Sequence, residues 1–221
     1  ETGIKMLPVS VTMFLASAAG SRLSGRFPVR SIVRAGMVTI AVAIVGLLAT
    51  VEPTLAERTF GVAMAVLGIG MGLVASQLGN VVQSSVDESG RSEAGGLQFT
   101  GQQLGSSLGV ALVGAIVLTG LTGVFLTRIE DDPAIADEVA AQVSVAVGGG
   151  IDFVASDQID AAAQEAGFDA TTSAALVGNY EEAQLQALKA GLLVTLFLTL
   201  GALLTTRDLP HETPVRRDEP A

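Results

Sequence analysis

The stretch Ile32-Val-Arg-Ala-Gly-Met-Val-Thr-Ile-Ala-Val-Ala-Ile-Val-Gly-Leu-Leu-Ala-Thr-Val51 decides the fold, with Arg34 near its start as its one charge. A helix needs about 20 mostly apolar residues to cross the hydrocarbon core of a bilayer. Four more such runs flank it: Ile4–Gly20 before it, broken only by Lys5 and Pro8, and Thr59–Gln83, Ala94–Thr127 and Ala183–Thr206 after it. The fourth is too long for one crossing, so its first turns are expected at the interface. Composition agrees. Of 221 residues, 49% are hydrophobic and 15% charged, with a mean hydropathy of +0.56; a soluble domain carries about 25% charged residues. The predicted fold is all-α, a polytopic membrane helix bundle.

The same composition narrows function. There is no Cys, and His211, in a polar tail, is the single His. Thiolate nucleophiles, disulfides, zinc–thiolate sites and imidazole catalysis are therefore excluded or improbable as chemistry. An enzyme, a metal or cofactor site and a nucleic-acid partner are not expected. The net charge of −10 is local: Arg128 to Glu182 holds twelve acids against Arg128 alone, which leaves the remainder nearly neutral. The acidity describes one loop and does not imply a cationic partner for the whole protein.

Orientation follows from Arg and Lys in short loops. Four Arg (Arg22, Arg26, Arg30, Arg34) put the first loop in the cytoplasm. Crossing back and forth places residues 128–182 outside and the tail, with Arg207, Arg216 and Arg217, inside. Four membrane helices thus occupy 1–127, an acidic extracytoplasmic loop with short helices 128–182, the last membrane helix 183–206, and a cytoplasmic tail 207–221. In the loop, Asp132-Pro133 predicts a helix start and Gly148-Gly149-Gly150 its end. A second short helix is predicted from Asp157 to Ala166, ended by Gly167. Asn179 with Glu182 resembles a capping box. These Ala-rich helices have little with which to bury a core, which predicts a mobile lid. Phe60, Phe125 and Tyr180 fall where aromatic rings anchor at the outer interface.

Polar residues inside the spans are amides and hydroxyls. Gln77 and Asn80 share one face of the third span, and Gln98 and Gln102 one face of the fourth. All four are candidates to line a substrate path, against the alternative that amides tie neighbouring helices together. No acid lies well inside a span, so proton coupling is expected mostly in sequence beyond this chain. Gly68 and Gly72, and Gly101, Gly105 and Gly109, recur at intervals of four, the spacing that lets helix backbones approach closely. Glu1-Thr2-Gly3 runs straight into a span without a Met or a signal-peptide pattern. That opening predicts a piece of a longer protein.

Gly20-Ser-Arg22-Leu23-Ser24-Gly25-Arg26-Phe27-Pro28-Val29-Arg30 resembles the cytoplasmic loop motif of the major facilitator superfamily, G-x-x-x-D-R-x-G-R in outline. The resemblance continues through Gly68-Ile-Gly-Met-Gly72 and Ser92-Glu-Ala-Gly-Gly-Leu-Gln-Phe-Thr-Gly-Gln-Gln-Leu-Gly-Ser-Ser-Leu-Gly-Val-Ala111. Together these are similar to the last five spans of a drug:proton antiporter of the fourteen-span type, a group that often joins its last two spans by a long outer loop. The resemblance covers the spans and links and little of the outer loop. It implies that Gly20, Arg22, Arg26 and Arg30 belong to a cytoplasmic gate, although Gly25 and Pro28 stand where the motif has Asp and Gly. It also implies proton-driven export of small hydrophobic or cationic compounds from the plasma membrane by alternating access. The implied partners are the lipid bilayer, the N-terminal half of the same protein, the substrate and protons.

Two alternatives remain beside that reading: an exporter of another solute such as a lipid or metabolite, and a non-transporting membrane protein whose outer loop binds a partner. The orientation is testable directly. Single Cys residues at Ser24 and at Ser156 should react from opposite sides of the membrane; reaction of both with an impermeant reagent from outside contradicts it.

Overall fold

The computed structural model describes residues 2–50, 57–84 and 86–208. Seven α-helices follow in order: α1 (Thr2–Leu23), α2 (Val29–Thr50), α3 (Glu57–Ser84), α4 (Arg91–Asp131), α5 (Asp137–Val147), α6 (Ser156–Glu165) and α7 (Ala170–Thr205). Short 3-10 turns lie at Glu88–Gly90 and Thr206–Asp208, and no strand occurs among the described residues. α1, α2, α3, α4 and α7 are each long and apolar enough to cross a membrane. In lipid a chain must satisfy its backbone polar groups internally, which a helix does whatever the intrinsic propensity of its Val and Ile residues. The protein is a polytopic helical membrane bundle. Glu52, Pro53, His211, Arg216 and Arg217, and the side chains of Lys5 and Asn80, lie outside the described residues.

The chain divides into two compact units. The first contains α1, α2 and α3, with α4 up to Ser107 and α7 from Leu193 onward. Here α3 packs against both α1 and α2. α2 buries Val29, Ile32, Gly36, Ala43, Ile44, Leu47 and Thr50, mostly at helical intervals of three and four. Its Val38, Val42 and Val45 are exposed, a suitable surface for acyl chains and a poor one for water. At the near end of α2, Arg34 donates from Nε to Thr206 Oγ1 at 3.0 Å, fastening α2 to the turn that closes α7.

The second unit spans Leu108–Leu192. Its core is a stripe on α4 (Leu121, Phe125, Ile129) set against a stripe on α7 (Leu176, Tyr180, Ala183, Ala187), with Ile135, Ala140 of α5 and Ala163 of α6 completing it. α5 and α6 do contain little apolar surface of their own, as their Ala-rich sequences indicate. The structure supplies the missing core from α4 and α7, which run past the apolar spans to Asp131 and back to Ala170. The 128–182 segment is thus packed on two long helices and shares one core with them. Phe125 and Tyr180 are consequently not interface anchors. They are 2% and 0% exposed and meet edge to face, with centroids 5.8 Å apart and an interplanar angle of 88°.

Local chemistry explains the boundaries. Asp132 does not open a helix; its Oδ1 accepts from Ala134 N–H at 2.9 Å in a turn, and α5 begins five residues later. Asn179 lies inside α7 and caps nothing. Its Nδ2 donates to Asp132 Oδ2 and to Ala175 O, tying the turn to the helix. The first turn of α7 is satisfied by Asp169, whose Oδ1 accepts from Thr171 N–H and Thr172 N–H, each at 2.8 Å. α6 ends in a Schellman turn: Phe168 N–H reaches Ala163 O and Gly167 N–H reaches Gln164 O, with Gly167 at φ +83°. That turn folds Phe168 back onto the core.

The hydrogen bond from Thr172 N–H, aided by that from Thr171, holds the Asp169 carboxyl below the usual aspartate range, against an opposing effect of burial. A carboxyl with a lowered pKa contributes stability above its unfolded value, about 3.9, and loses it as pH falls through the lower folded value. Protection of the Thr171 and Thr172 amides against hydrogen exchange, corrected for intrinsic rates, should therefore fall as pH drops below 4. Asp169→Asn should remove that dependence. Protection that stays flat into acid in the unsubstituted protein contradicts the assignment.

Candidate functional site

The polar residues of the first unit converge where α1 ends beside α3. Gln77 is wholly buried. Its Oε1 accepts from Ser24 Oγ at 3.0 Å, and its Nε2 donates to Gly20 O at 3.1 Å and to Ser76 Oγ at 2.9 Å. Ser24 is buried too, and its hydroxyl also bonds Gly20 O at 3.0 Å. An amide facing lipid would cost several kcal/mol, roughly, for each unsatisfied group; here both ends of the amide are met by protein. The group ties the first loop to α3.

Close backbone approach makes this possible. A methyl group at Gly72 would stand 2.8 Å from Ala16 Cβ and 2.9 Å from Ser17 N, and one at Gly68 would run into Val9 and Thr12. Both glycines therefore face α1. Gly70, on the opposite side of α3, faces α2, where a methyl group would stand 2.8 Å from Gly36 O. Gly20 is equally tight against Ser76, which brings its carbonyl within reach of Gln77.

The remaining candidates are placed differently. Arg22 and Arg26 are exposed and Arg30 is half-buried. Gln98 is half-buried and Gln102 exposed on α4. Gly101, Gly105 and Gly109 have open space around them among the described residues, so the structure does not set them against a helix. The small-residue seam that α4 does use lies elsewhere. Val113 and Val117 of α4 crowd Gly191 of α7, which continues the Ala183, Ala187 stripe at intervals of four.

Sequence reasoning did not single out Ser24 or the Ala183–Ala187–Gly191 seam. The interval of four from Gly20 to Ser24, and from Ala183 through Gly191, was the signal that could have found them. Ser24 is a buried anchor, so a cysteine reporter of sidedness is better placed at the exposed Gly25 beside it. Nothing in the cluster titrates near neutral pH. It can hold helices together or offer hydrogen bonds, and it contains no carboxyl or imidazole to bind a proton.

Neither a family model nor a solved structure matches the chain. Among curated proteins it is similar to the tetracenomycin C resistance and export protein of Streptomyces glaucescens, at 27% identity over 151 residues. That match covers 65% of this chain and 28% of the relative, so the chain spans well under two thirds of that protein's length.

Space at the glycines separates two substitutions of the same kind. Gly72→Val drives a branched side chain into the backbone of α1 and should cost about 1–3 kcal/mol, the usual penalty for overpacking. Gly105→Val meets open space and should cost little or even help, since Gly is a poor helix former. Thermal unfolding of the two variants in one detergent checks this; equal losses contradict the packing of α3 on α1.

Proposed function

We propose that the chain is the C-terminal part of a membrane exporter of the major facilitator kind, a proton-driven drug antiporter working by alternating access. The observation that carries this reading is the similarity to a resistance and export protein over 65% of the chain. The five membrane-length helices and the loop from Gly20 to Arg30 support it. The substrate class is a small hydrophobic or cationic compound, and tetracenomycin C, named for the relative, is the first to test.

Within that reading the residues divide by their surroundings. Gln77 spends its amide on Ser24, Gly20 and Ser76, so in this arrangement it acts as the fastening of the cytoplasmic loop. A substrate role for Gln77 would require the loop to let go in another state of the cycle. Gln98 and Gln102, less enclosed, are the better substrate-path residues, and Asn80 shares the Gln77 face by sequence. Arg22 and Arg26, exposed among the described residues, are placed to meet lipid headgroups or a gate partner. No acid of this sequence lies well inside an apolar span, which favours a proton-coupling residue elsewhere in the protein.

The test is transport in everted vesicles. The full-length protein should accumulate tetracenomycin C or a hydrophobic cation when a proton gradient is imposed, and a protonophore should abolish it. The present chain alone should do neither. Accumulation that is indifferent to the gradient, or robust gradient-driven transport by the chain alone, overturns the assignment.

A further inference from the structure

Two exposed apolar stripes of the first unit run to the same end of its membrane helices, and each finishes in an arginine. On α2 the exposed Val45, Val42 and Val38 lead at intervals of three and four to Arg34. On α7 the exposed Phe197, Leu200 and Leu204 lead in the same way to Arg207, in the closing turn. The stripes are joined there. Arg34 Nε donates to Thr206 Oγ1 at 3.0 Å, and the buried Thr206 hydroxyl donates in turn to Leu203 O at 2.6 Å.

That bond holds the guanidinium by its Nε alone. Among the described residues the two terminal nitrogens of Arg34 have no partner. They form a fork that matches two oxygens of a phosphate. Arg207 is exposed beside it. Residues 21–34 hold four Arg and no acid, and Asp208 is the nearest acid in sequence to the seam. Basic residues at a membrane surface attract anionic lipid headgroups. Phosphatidylcholine carries the same phosphate with an ammonium beside it, which neighbouring arginines repel.

The stripes identify the anion as part of a lipid. Arg34 and Val45 of α2 are about 16 Å apart at 1.5 Å per helical residue, and one leaflet is half of a hydrocarbon core of ~30 Å. Acyl chains of a lipid anchored at Arg34 therefore run the length of the exposed valines. A small soluble anion would gain nothing from them. Arg22 and Arg26, exposed on the loop, add attraction at a distance, whereas Arg34 is fixed in place by Thr206.

We propose that the seam between the start of α2 and the closing turn of α7 binds an anionic phospholipid. Its phosphate lies on the Arg34 fork and Arg207, and its acyl chains lie along 38–45 of α2 and 197–204 of α7. The site rests on these helices being membrane spans and not on export, so a membrane protein that moves nothing would hold the lipid equally.

Photolabelling of the full-length protein in phosphatidylcholine vesicles tests it, with a small fraction of phosphatidylglycerol carrying a diazirine in one acyl chain. On illumination the diazirine loses nitrogen, and its carbene inserts into a nearby C–H bond, marking peptides for mass spectrometry. Labelling of 38–45 and 197–204 should saturate and be lost in excess unlabelled phosphatidylglycerol, but survive soluble glycerol phosphate. Phosphatidylcholine with the same diazirine should label these segments weakly and without saturation. Arg34→Gln and Arg207→Gln should each raise the half-saturating fraction about fivefold, the effect of one basic residue on an anionic headgroup. Arg34→Lys, which keeps the charge and loses the fork, should raise it as well. Arg207→Gln leaves the Arg34–Thr206 bond in place, so the test survives any loosening caused by the Arg34 variants. Equal labelling by the two lipids, displacement by glycerol phosphate, or labelling indifferent to Arg207→Gln overturns the proposal.

Discussion

The close approach of α3 to α1 and α2 is the constraint on which the first unit depends. Between helices in lipid there is no hydrophobic drive, because acyl chains are as apolar as the side chains they would replace. Association rests instead on dispersion and hydrogen bonds, and both need backbones near each other. Gly68 and Gly72 provide that on the α1 side, and Gly70 with Gly36 on the α2 side. The buried amide of Gln77 is a consequence. Only where α1 lies this close can one side chain reach both Gly20 O and the Ser24 hydroxyl.

The second unit is governed by different physics. None of its twelve acids from Glu130 to Glu182 is buried, so the segment presents charge outward and apolar surface inward, as a soluble domain does. Arg128 and Glu182 pair across α4 and α7, and at a partly exposed site such a pair contributes little, about 0–1 kcal/mol. The stabilising contacts are the Phe125–Tyr180 edge-to-face pair and the small residues behind it. Ala183, Ala187 and Gly191 let α7 lie close to α4, and Phe125 and Tyr180 fill the wider space beyond.

The five spans were legible because an apolar run of about 20 residues exceeds what a buried core helix of a soluble domain needs and matches the thickness of a bilayer. Helix ends in the acidic segment were less so. Hydropathy ends the last span at Ala183, yet α7 starts at Ala170, since its extension is held by the core and by Asp169. Asp132-Pro133 and Asn179–Glu182 both carry the letters of a cap, but in place Asp132 and Asn179 bond one another and a turn. The breakers fared better: Gly148 and Gly167 follow the last residues of α5 and α6 closely, because positive φ at Gly150 and Gly167 is a local demand that glycine meets alone. Gln77 stands out in sequence as an amide in an apolar helix. Its partners do not, because Gly20 and Ser24 are more than fifty residues away and only the fold brings them together.

The seating of α3 against its neighbours can be read through a single cross-link, since the chain has no Cys of its own. A Cβ at Gly46 of α2 would lie 3.6 Å from Ala63 Cβ of α3, inside the roughly 3.5–4.5 Å range of disulfides. Gly46→Cys with Ala63→Cys should join α2 to α3 under mild oxidation in native membranes, detected as protection of both thiols from alkylation until reductant is added. Both thiols remaining fully alkylatable after oxidation would contradict the close packing from which the rest of the bundle is argued.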